Sequence, residues 1–493
     1  MLRKGKSMEK KKIRNKRIDE ELLMKRRREE LARLPHGDEV DFDEAVAYQK
    51  SLPDSKVWWK VMKKLEDEGR MSVFPRAGTP LLKDMIELCQ SLREAGVVLI
   101  PVTTDSYTRT GQHEKVAEIM KEVERTGKPL LNGFPIYYYG VKQCRKLVES
   151  VDAAFSPRAA GGDIAVASGM TTGGGGIGFL GFGSYSKKMT IRELVEGSMG
   201  RMGIVGWYAD RGVILCTDLH GWLPSAPFPL SVNIVALIIE AVTAAEQGQK
   251  ALYPLVHCMG NMAQDIAWIR LAPRLIREYL DRFGYEDCMI TGTCPAQTPL
   301  FPVARHLGGA FAYLTYVSMV GALAKCNAVD LRSIDEGAGI PSTESHKASY
   351  TAAKWVFDVV REQRLEVEIK DVEIEEKVTE AEVRAIIERV LDLGDGDIAD
   401  GTIKAVESGV LDSPWSPNVT VKDQVLGVRD ARGACRYLEF GNLPIPEDIK
   451  DFHREKIAER EKIEGRKVDY YTAVRDLWSL SKGKMVGLPP YNQ

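Results

Sequence analysis

The chain of 493 residues lacks features that would point to several other classes of protein. Its basic N-terminus has no apolar stretch as long as that of a secretory signal, so we expect no export. Its eight cysteines include no C-x-x-C pair, and we predict reduced thiols in a cytoplasmic protein. A formal net charge of -2 gives no overall attraction to nucleic acid or to an anionic membrane.

Motifs for other kinds of chemistry are also missing. The histidines show no zinc-type spacing, and none lies beside a Ser or Cys that could act as a nucleophile. Gly176 to Gly181 fits G-x-G-x-x-G, but it follows a glycine-rich stretch instead of a strand, which disfavours a dinucleotide site. The segment 307–324 is uncharged for 18 residues, the lower limit for a membrane span. Its glycines and tyrosines favour a buried helix instead.

The pattern of the chain predicts three parts. Residues 1–55 form a basic, helical N-terminal extension, with fourteen Lys and Arg against six Asp and Glu in the first 34 residues. Residues 56–365 alternate short apolar runs with amphipathic stretches, which indicates an α/β fold. We predict a (β/α)8 TIM-type barrel there, with an open doubly wound sheet as the alternative. Residues 366–493 read as a C-terminal α+β region.

Several elements can be predicted individually. Helices are expected over 230–247, 265–283 and 447–464, and a capping box at Thr379 and Glu382 predicts a helix that runs toward Gly394. The predicted strands are Val97–Val102, Val213–Asp218, Ala251–Cys258, Met289–Thr293 and Ala328–Arg332.

Three arginines follow apolar runs, where a barrel enzyme carries its active site. They are Arg76, Arg109 and Arg158. A guanidinium group suits a carboxylate because it donates two parallel charge-assisted hydrogen bonds in one plane. Three converging guanidinium groups would repel one another unless an anion lay between them. The residues alone favour ordinary surface or ion-pair arginines over a carboxylate site.

A resemblance to a known family changes that balance. From about residue 26 onward the sequence resembles the ε subunit of glutamate mutase, also called methylaspartate mutase. The matching segments are Pro75–Gly78, Thr108–Arg109, Leu131–Pro135, Tyr139–Lys142, Cys144–Lys146, Gly260–Met262, Gln264–Ile266, Gly339–Pro341 and Arg436–Asn442. The resemblance implies an isomerase with a (β/α)8 barrel that interconverts glutamate and 3-methylaspartate by an adenosylcobalamin-dependent radical rearrangement.

The resemblance also implies roles for individual residues. Arg76, Arg109 and Arg158 match the three arginines that hold the substrate carboxylates, and Tyr185 matches a tyrosine that contacts the substrate. Arg332 stands where the family has a lysine. The other positions that match the cobalamin and adenosyl contacts are Gly78, Asn132, Phe301, Glu336 and Ile340.

The departures from the family lie around one end of the substrate. Gly173 stands near the family glutamate that binds the substrate ammonium, and Phe179 replaces a second substrate-contacting tyrosine. Asp218 stands where the family has another glutamate. Asp218 and the nearby His220 are candidate catalytic residues. An unpartnered buried ammonium is strongly disfavoured, so the substrate is expected to lack that group or to hold it differently. Asp163 and Asp218 are alternative replacements for the missing carboxylate.

The cofactor is expected to require a second chain. Asp218 and His220 match only part of the cobalt-ligating signature D-x-H-x-x-G, because Leu223 replaces its glycine. We therefore predict no metal ligand on this chain, a small cobalamin-binding subunit supplied in trans, and a homodimer of this chain. The substrate prediction stays open between glutamate and another small carboxylic acid, including a dicarboxylate without the amino group. A non-catalytic barrel that acts as an assembly or regulatory partner is the alternative function.

Overall fold

Short strands alternate with longer helices over most of the chain. The computed structural model describes residues 16–158, 162–173, 186–225, 227–297, 302, 304–337, 339–366 and 369–486. Between residues 72 and 331 the described strands pair only in parallel. These strands are β1 (Ser72–Pro75), β2 (Leu99–Thr103), β3 (Ala154–Arg158), β4 (Cys216–Leu219), β5 (Ala251–Cys258), β6 (Met289–Ile290), β7 (Cys294–Gln297) and β8 (Ala328–Leu331).

The strands form two hydrogen-bonded groups. One has the order β1-β8-β7-β5-β4, with β6 also on β5, and the other pairs β2 with β3. A parallel bridge joins Ala77, just after β1, to Val102 of β2. Thr171 donates its backbone N–H to Phe155 of β3 at 3.1 Å, and its neighbour Thr172 bridges to Cys216 of β4. The chain therefore has an α/β fold with a mostly parallel sheet, as the alternating pattern predicted.

Helices cover the strands along the same stretch of chain. They are α1 (Glu20–Leu31), α2 (Phe42–Ser51), α3 (Trp58–Asp67), α4 (Leu82–Glu94), α5 (Ser106–Arg109), α6 (His113–Thr126), α7 (Ile136–Glu149), α8 (Asp163–Ala167), α9 (Ile191–Asp210), α10 (Ser231–Glu246), α11 (Met262–Arg282), α12 (Leu307–Leu323) and α13 (Thr343–Glu362). All residues of α10 are buried. No face of this helix is exposed to water, so the helix lies inside the fold.

The uncharged helix α12 is only partly buried. Its second half is in the core, where Val317, Ser318 and Gly321 are inaccessible to solvent, whereas Leu307 at its start is 56% exposed. The prediction of a buried helix therefore holds for the second half and is wrong for the first turns. Among the described residues no helix has the length and apolar character needed to cross a membrane.

The N-terminal extension is tied to the sheet region by a buried ion pair. Asp19 caps α1, and Arg27 on the same helix donates through Nε to Asp163 Oδ2 at 2.9 Å. A second, shorter contact joins the same two groups. The guanidinium also lies 4.1 Å from the ring centroids of Phe42 and Trp207. This part of the basic extension is thus packed against the fold.

The C-terminal elements begin earlier than the capping box predicted. Helix α14 (Lys370–Leu393) starts nine residues before Thr379, whose hydroxyl accepts from Trp268 Nε1 at 3.0 Å. Glu382 contacts His453 at 2.6 Å instead of capping the helix. The remaining elements are α15 (Ile398–Ser408), the antiparallel strands β9 (Val425–Arg429) and β10 (Cys435–Phe440), α16 (Glu447–Glu464), α17 (Tyr470–Asp476) and α18 (Ser479–Lys482).

Candidate active site

Charged side chains gather at the carboxyl ends of the parallel strands. Arg76 follows β1, Arg158 ends β3, Asp218 lies on β4 and Asp330 on β8. Parallel strands end at the same edge of a sheet, so these four residues meet there although they are far apart in sequence. Their side chains, except that of Arg76, are at most 7% exposed.

Asp330 lies between two of the predicted arginines. Arg76 Nε donates to Asp330 Oδ1 at 2.9 Å, and Arg158 Nη2 is 3.2 Å from Asp330 Oδ2. Burial opposes the charge on Asp330, but the two guanidinium groups lower its pKa to about 2. Burial likewise opposes the charge on Arg76, and Asp330 raises its pKa above the ordinary value. The chain itself thus supplies the anion that two neighbouring arginines require.

A second carboxylate binds the other side of Arg158. The Arg158 guanidinium contacts Asp218 closely, and its Nη1 also lies 3.1 Å from His220 Nε2. The same histidine nitrogen is 3.0 Å from Asp218 Oδ2. Burial would raise the pKa of Asp218, but Arg158 lowers it below its ordinary value. Because a guanidinium only donates, His220 Nε2 either accepts from Arg158 or donates to Asp218, depending on its own proton.

Arg109 differs from the other two arginines. It ends the short helix α5, and its side chain is exposed. Within the described part of the chain, Arg109 forms no ion pair. The carboxylate of Asp105 anchors that helix by accepting from the backbone N–H groups of Tyr107 and Thr108. The structure therefore brings together Arg76 and Arg158, whereas Arg109 is exposed at the end of the helix that follows β2.

Both candidate replacements for the missing family glutamate are already bound by arginines. Asp163 is bound by Arg27 and by the hydroxyl of Tyr208 at 3.4 Å. Asp218 is bound by Arg158. Gly173 is buried, and a Cβ there would lie 2.3 Å from Val205 Cγ2, so packing excludes a side chain. Phe179, Tyr185, Phe301 and the 176–181 motif lie outside the described residues.

The residues matched to cofactor contacts lie at the same edge and are more accessible. Asn132 is exposed, Ile340 is 39% exposed and the Glu336 side chain is 34% exposed. Arg332 Nε lies 3.6 Å from Glu336 Oε1. Gly78 packs so closely on β2 that a Cβ would lie 2.8 Å from the Thr103 carbonyl oxygen. In the described residues no group of three or more His, Cys, Asp and Glu side chains could hold a metal ion.

Three further polar residues of this edge were missed from the sequence. Asp330 is the single charged residue within an apolar strand. This pattern is visible in the sequence and could have identified Asp330 as a site residue. His257 near the end of β5 is 2% exposed, and neither ring nitrogen has a hydrogen-bond partner among the described residues. Burial lowers the pKa of His257 to about 3. Glu240 on α10 accepts the backbone N–H groups of His220 and Gly221, and burial raises its pKa to about 8.

Comparison with known proteins decides the family. The sequence model of the methylaspartate mutase E chain matches residues 52–489. The chain belongs to this family. It is 34% identical over 481 residues to the glutamate mutase epsilon subunit of Desulfitobacterium hafniense, which covers 96% of this chain and 99% of that relative. The epsilon subunit of Treponema denticola is also 34% identical, over 484 residues, with the same two coverages.

A third relative supports the same family assignment. The glutamate mutase epsilon subunit of Escherichia coli O157:H7 is 32% identical over 485 residues, which is 97% of this chain and all of that relative. Among solved structures, a phospho-2-dehydro-3-deoxyheptonate aldolase from Thermotoga maritima aligns with 59% of this chain and 70% of its own, at 11% identity and a TM-score of 0.33. The assignment to the family therefore rests on the sequence relatives.

Proposed function

We propose that this chain is the catalytic large subunit of an adenosylcobalamin-dependent carbon-skeleton mutase that acts on a small carboxylic acid. The observation that carries the proposal is the family match over residues 52–489, together with arginines buried at the strand ends. A radical rearrangement requires a site that keeps water away from the reacting carbon. Arg158 and Asp218, whose side chains are 7% and 0% exposed, are protected in this way.

We further propose that the parallel strands close into a (β/α)8 barrel within residues 56–365, flanked by the 1–55 extension and the 366–493 region. Two observations support closure. β8 pairs with β1, and the Ala77–Val102 bridge continues the ladder from β1 to β2. The backbone of Thr171 and Thr172 lies between β3 and β4 through its hydrogen bonds and bridge. A closed barrel would gather all strand ends around one site.

In this proposal each polar residue has a distinct role toward the substrate. The exposed Arg109 binds a carboxylate of the substrate by charge-assisted hydrogen bonds. Arg158 is held in place by Asp218 and Asp330, which fixes the plane of its guanidinium group. His220 receives or returns a proton at Nε2, the nitrogen that lies between Arg158 and Asp218.

The residues present could contact a cofactor that lies between this chain and a second protein. Asn132, Glu336 and Ile340 are accessible at the edge of the site and offer an amide, a carboxylate and an apolar surface. The cavity beside Arg332 and Glu336 has a volume of only about 20 Å³, so a nucleoside would lie on this open face. Adenosylcobalamin, when bound, supplies a weak cobalt–carbon bond and thus the radical that starts the rearrangement.

A partner chain is part of the proposal because His220 is unsuited to ligate cobalt. Its Nε2 is engaged with Arg158 and Asp218, and Leu223 replaces the glycine of the cobalt-ligating signature. A small subunit that contains D-x-H-x-x-G would supply that ligand and cover the exposed face at Ile340. We also propose that the chain forms a homodimer and works in the cytoplasm.

The proposal can be tested by reconstitution. The chain is mixed with a small subunit that carries D-x-H-x-x-G and with adenosylcobalamin, and candidate acids are followed by proton NMR. We expect an isomerised acid from the complex and no turnover from this chain alone. Full turnover by the single chain would contradict the need for a partner. No rearrangement of any acid by the complex would favour a non-catalytic barrel.

A further inference from the structure

The charges buried at the strand ends balance one another. Each guanidinium group of this cluster has a carboxylate near it, and the separations between pairs include 2.9 Å for Arg76 to Asp330 and 3.6 Å for Arg332 to Glu336. Among its Arg, Asp and Glu side chains, the cluster has three positive and three negative groups. The positive ones are Arg76, Arg158 and Arg332, and the negative ones are Asp218, Asp330 and Glu336.

His257 adds a polar but uncharged group to the same place. In the sheet His257 is the partner of Ala296 on β7, and Ala296 is the partner of Asp330 on β8, so His257 lies level with Asp330. Both of its ring nitrogens are buried without a hydrogen-bond partner in the described residues. A buried donor or acceptor without a partner is costly, and a ligand hydroxyl or carbonyl would satisfy it. The inner part of the site is therefore suited to an uncharged polar group.

Of the three predicted arginines, Arg109 is the one that remains available to bind an anion. Arg76 and Arg158 share Asp330, and Arg158 also binds Asp218. By contrast, the exposed Arg109 makes no ion pair with the described residues. One substrate carboxylate would complete the charge balance there. A second carboxylate would enter a cluster that already has a carboxylate for each guanidinium group.

We propose that the site selects an acid with a single carboxylate, held by Arg109, and with an uncharged remainder that faces the cluster around Asp330 and His257. This inference rests on the proposed function for the idea that the ligand is a small acid. It goes further by excluding dicarboxylates as preferred ligands. Asp330 acts as a specificity residue because it occupies the position that a second substrate carboxylate would need.

The test compares two acids with the same number of carbon atoms. Pentanoate has one carboxylate and glutarate has two, and their binding to the full chain is measured by calorimetry at constant ionic strength. We expect the wild-type chain to bind pentanoate at least about tenfold more tightly than glutarate, since repulsion from Asp330 acts only on the second carboxylate. Tighter binding of glutarate, or binding of neither acid, overturns the proposal.

The variant Asp330→Asn should reverse the preference. It removes the negative charge between Arg76 and Arg158, so glutarate should bind more tightly than pentanoate and should raise the Tm of the variant by more. An unchanged preference for pentanoate in a folded variant overturns the role of Asp330. If the variant does not fold without ligand, refolding in glutarate but not in pentanoate is the expected result, and equal rescue by both acids contradicts it.

A matched control separates the loss of a buried ion pair from the change in specificity. Arg460 binds Asp476 through two contacts of 2.7 and 3.0 Å, and both side chains are 1% exposed. Asp476→Asn therefore also removes a buried carboxylate from an arginine, here in the C-terminal region, where Arg460 keeps its contact with Glu464 at 2.8 Å. It should lower Tm without altering the ratio of pentanoate to glutarate affinity. None of these measurements requires cobalamin or turnover, so their failure is distinguishable from failure of the mutase proposal.

Discussion

Replacing Arg27 by methionine tests how the N-terminal extension is held. Arg27 and Asp163 have side chains that are 1% and 3% exposed, so solvent does not screen their attraction. Removal of one partner from a buried pair leaves an uncompensated charge and costs about 3–5 kcal/mol. The loss of the guanidinium between the Phe42 and Trp207 rings adds to this cost. We expect Arg27→Met to release helix α1 from the rest of the fold.

The assay follows amide hydrogen exchange in α1 and α8, because unfolding of a chain of this size need not be two-state. In Arg27→Met, exchange in α1 should approach that of an unprotected helix. The neighbouring residue gives a matched control, since Arg26 is exposed and Arg26→Met should leave exchange unchanged. The double variant Arg27→Met with Asp163→Leu removes both charges and should recover most of the protection. Wild-type exchange in Arg27→Met would refute the reasoning.

Three further predictions concern the site and its support. Burial raises the pKa of Glu240 to about 8 from an ordinary 4.5, so the folded chain retains a proton that the unfolded chain releases. Stability should therefore fall as pH rises from about 5 to 9, and Glu240→Gln should show a smaller decrease in Tm over that range. A Cβ at Gly173 would clash with Val205, so Gly173→Ala should cost about 1–3 kcal/mol in urea unfolding, with partial recovery when Val205→Ala is added. Arg109→Ala should lower kcat/KM of the reconstituted complex roughly 10- to 100-fold, and more than Arg109→Lys, whereas its Tm should stay unchanged because the side chain is exposed.

Regular elements could be predicted where one physical signal dominates. The strand at Ala251–Cys258 and the helix at Glu447–Glu464 were predicted with the observed ends. Of the strand expected at Met289–Thr293 only β6 forms, and β7 begins at Cys294, beyond Gly292, which has a φ of +124°. A positive φ at glycine interrupts a strand in a way that the apolar pattern does not reveal.

The error at Thr379 has a different cause. Glu382 was predicted to complete a capping box, but it is paired with His453 inside the fold, and Glu375 is paired with Arg436. These partners are distant in sequence, so local charge patterns could not reveal that the helix continues through them. The same limit applies to the site, because the residues flanking Arg76 and Arg158 gave no sign that Asp330 lies between them.

The most direct test of the mutase proposal is electron paramagnetic resonance of the reconstituted complex. This chain, a small subunit with D-x-H-x-x-G and adenosylcobalamin are frozen during incubation with small carboxylic acids. We predict a cobalt-coupled organic radical signal that requires the acid and is weaker in Arg109→Ala at the same acid concentration. The absence of any acid-dependent radical from a complex that binds the cofactor would contradict the proposal that this chain is a catalytic mutase subunit.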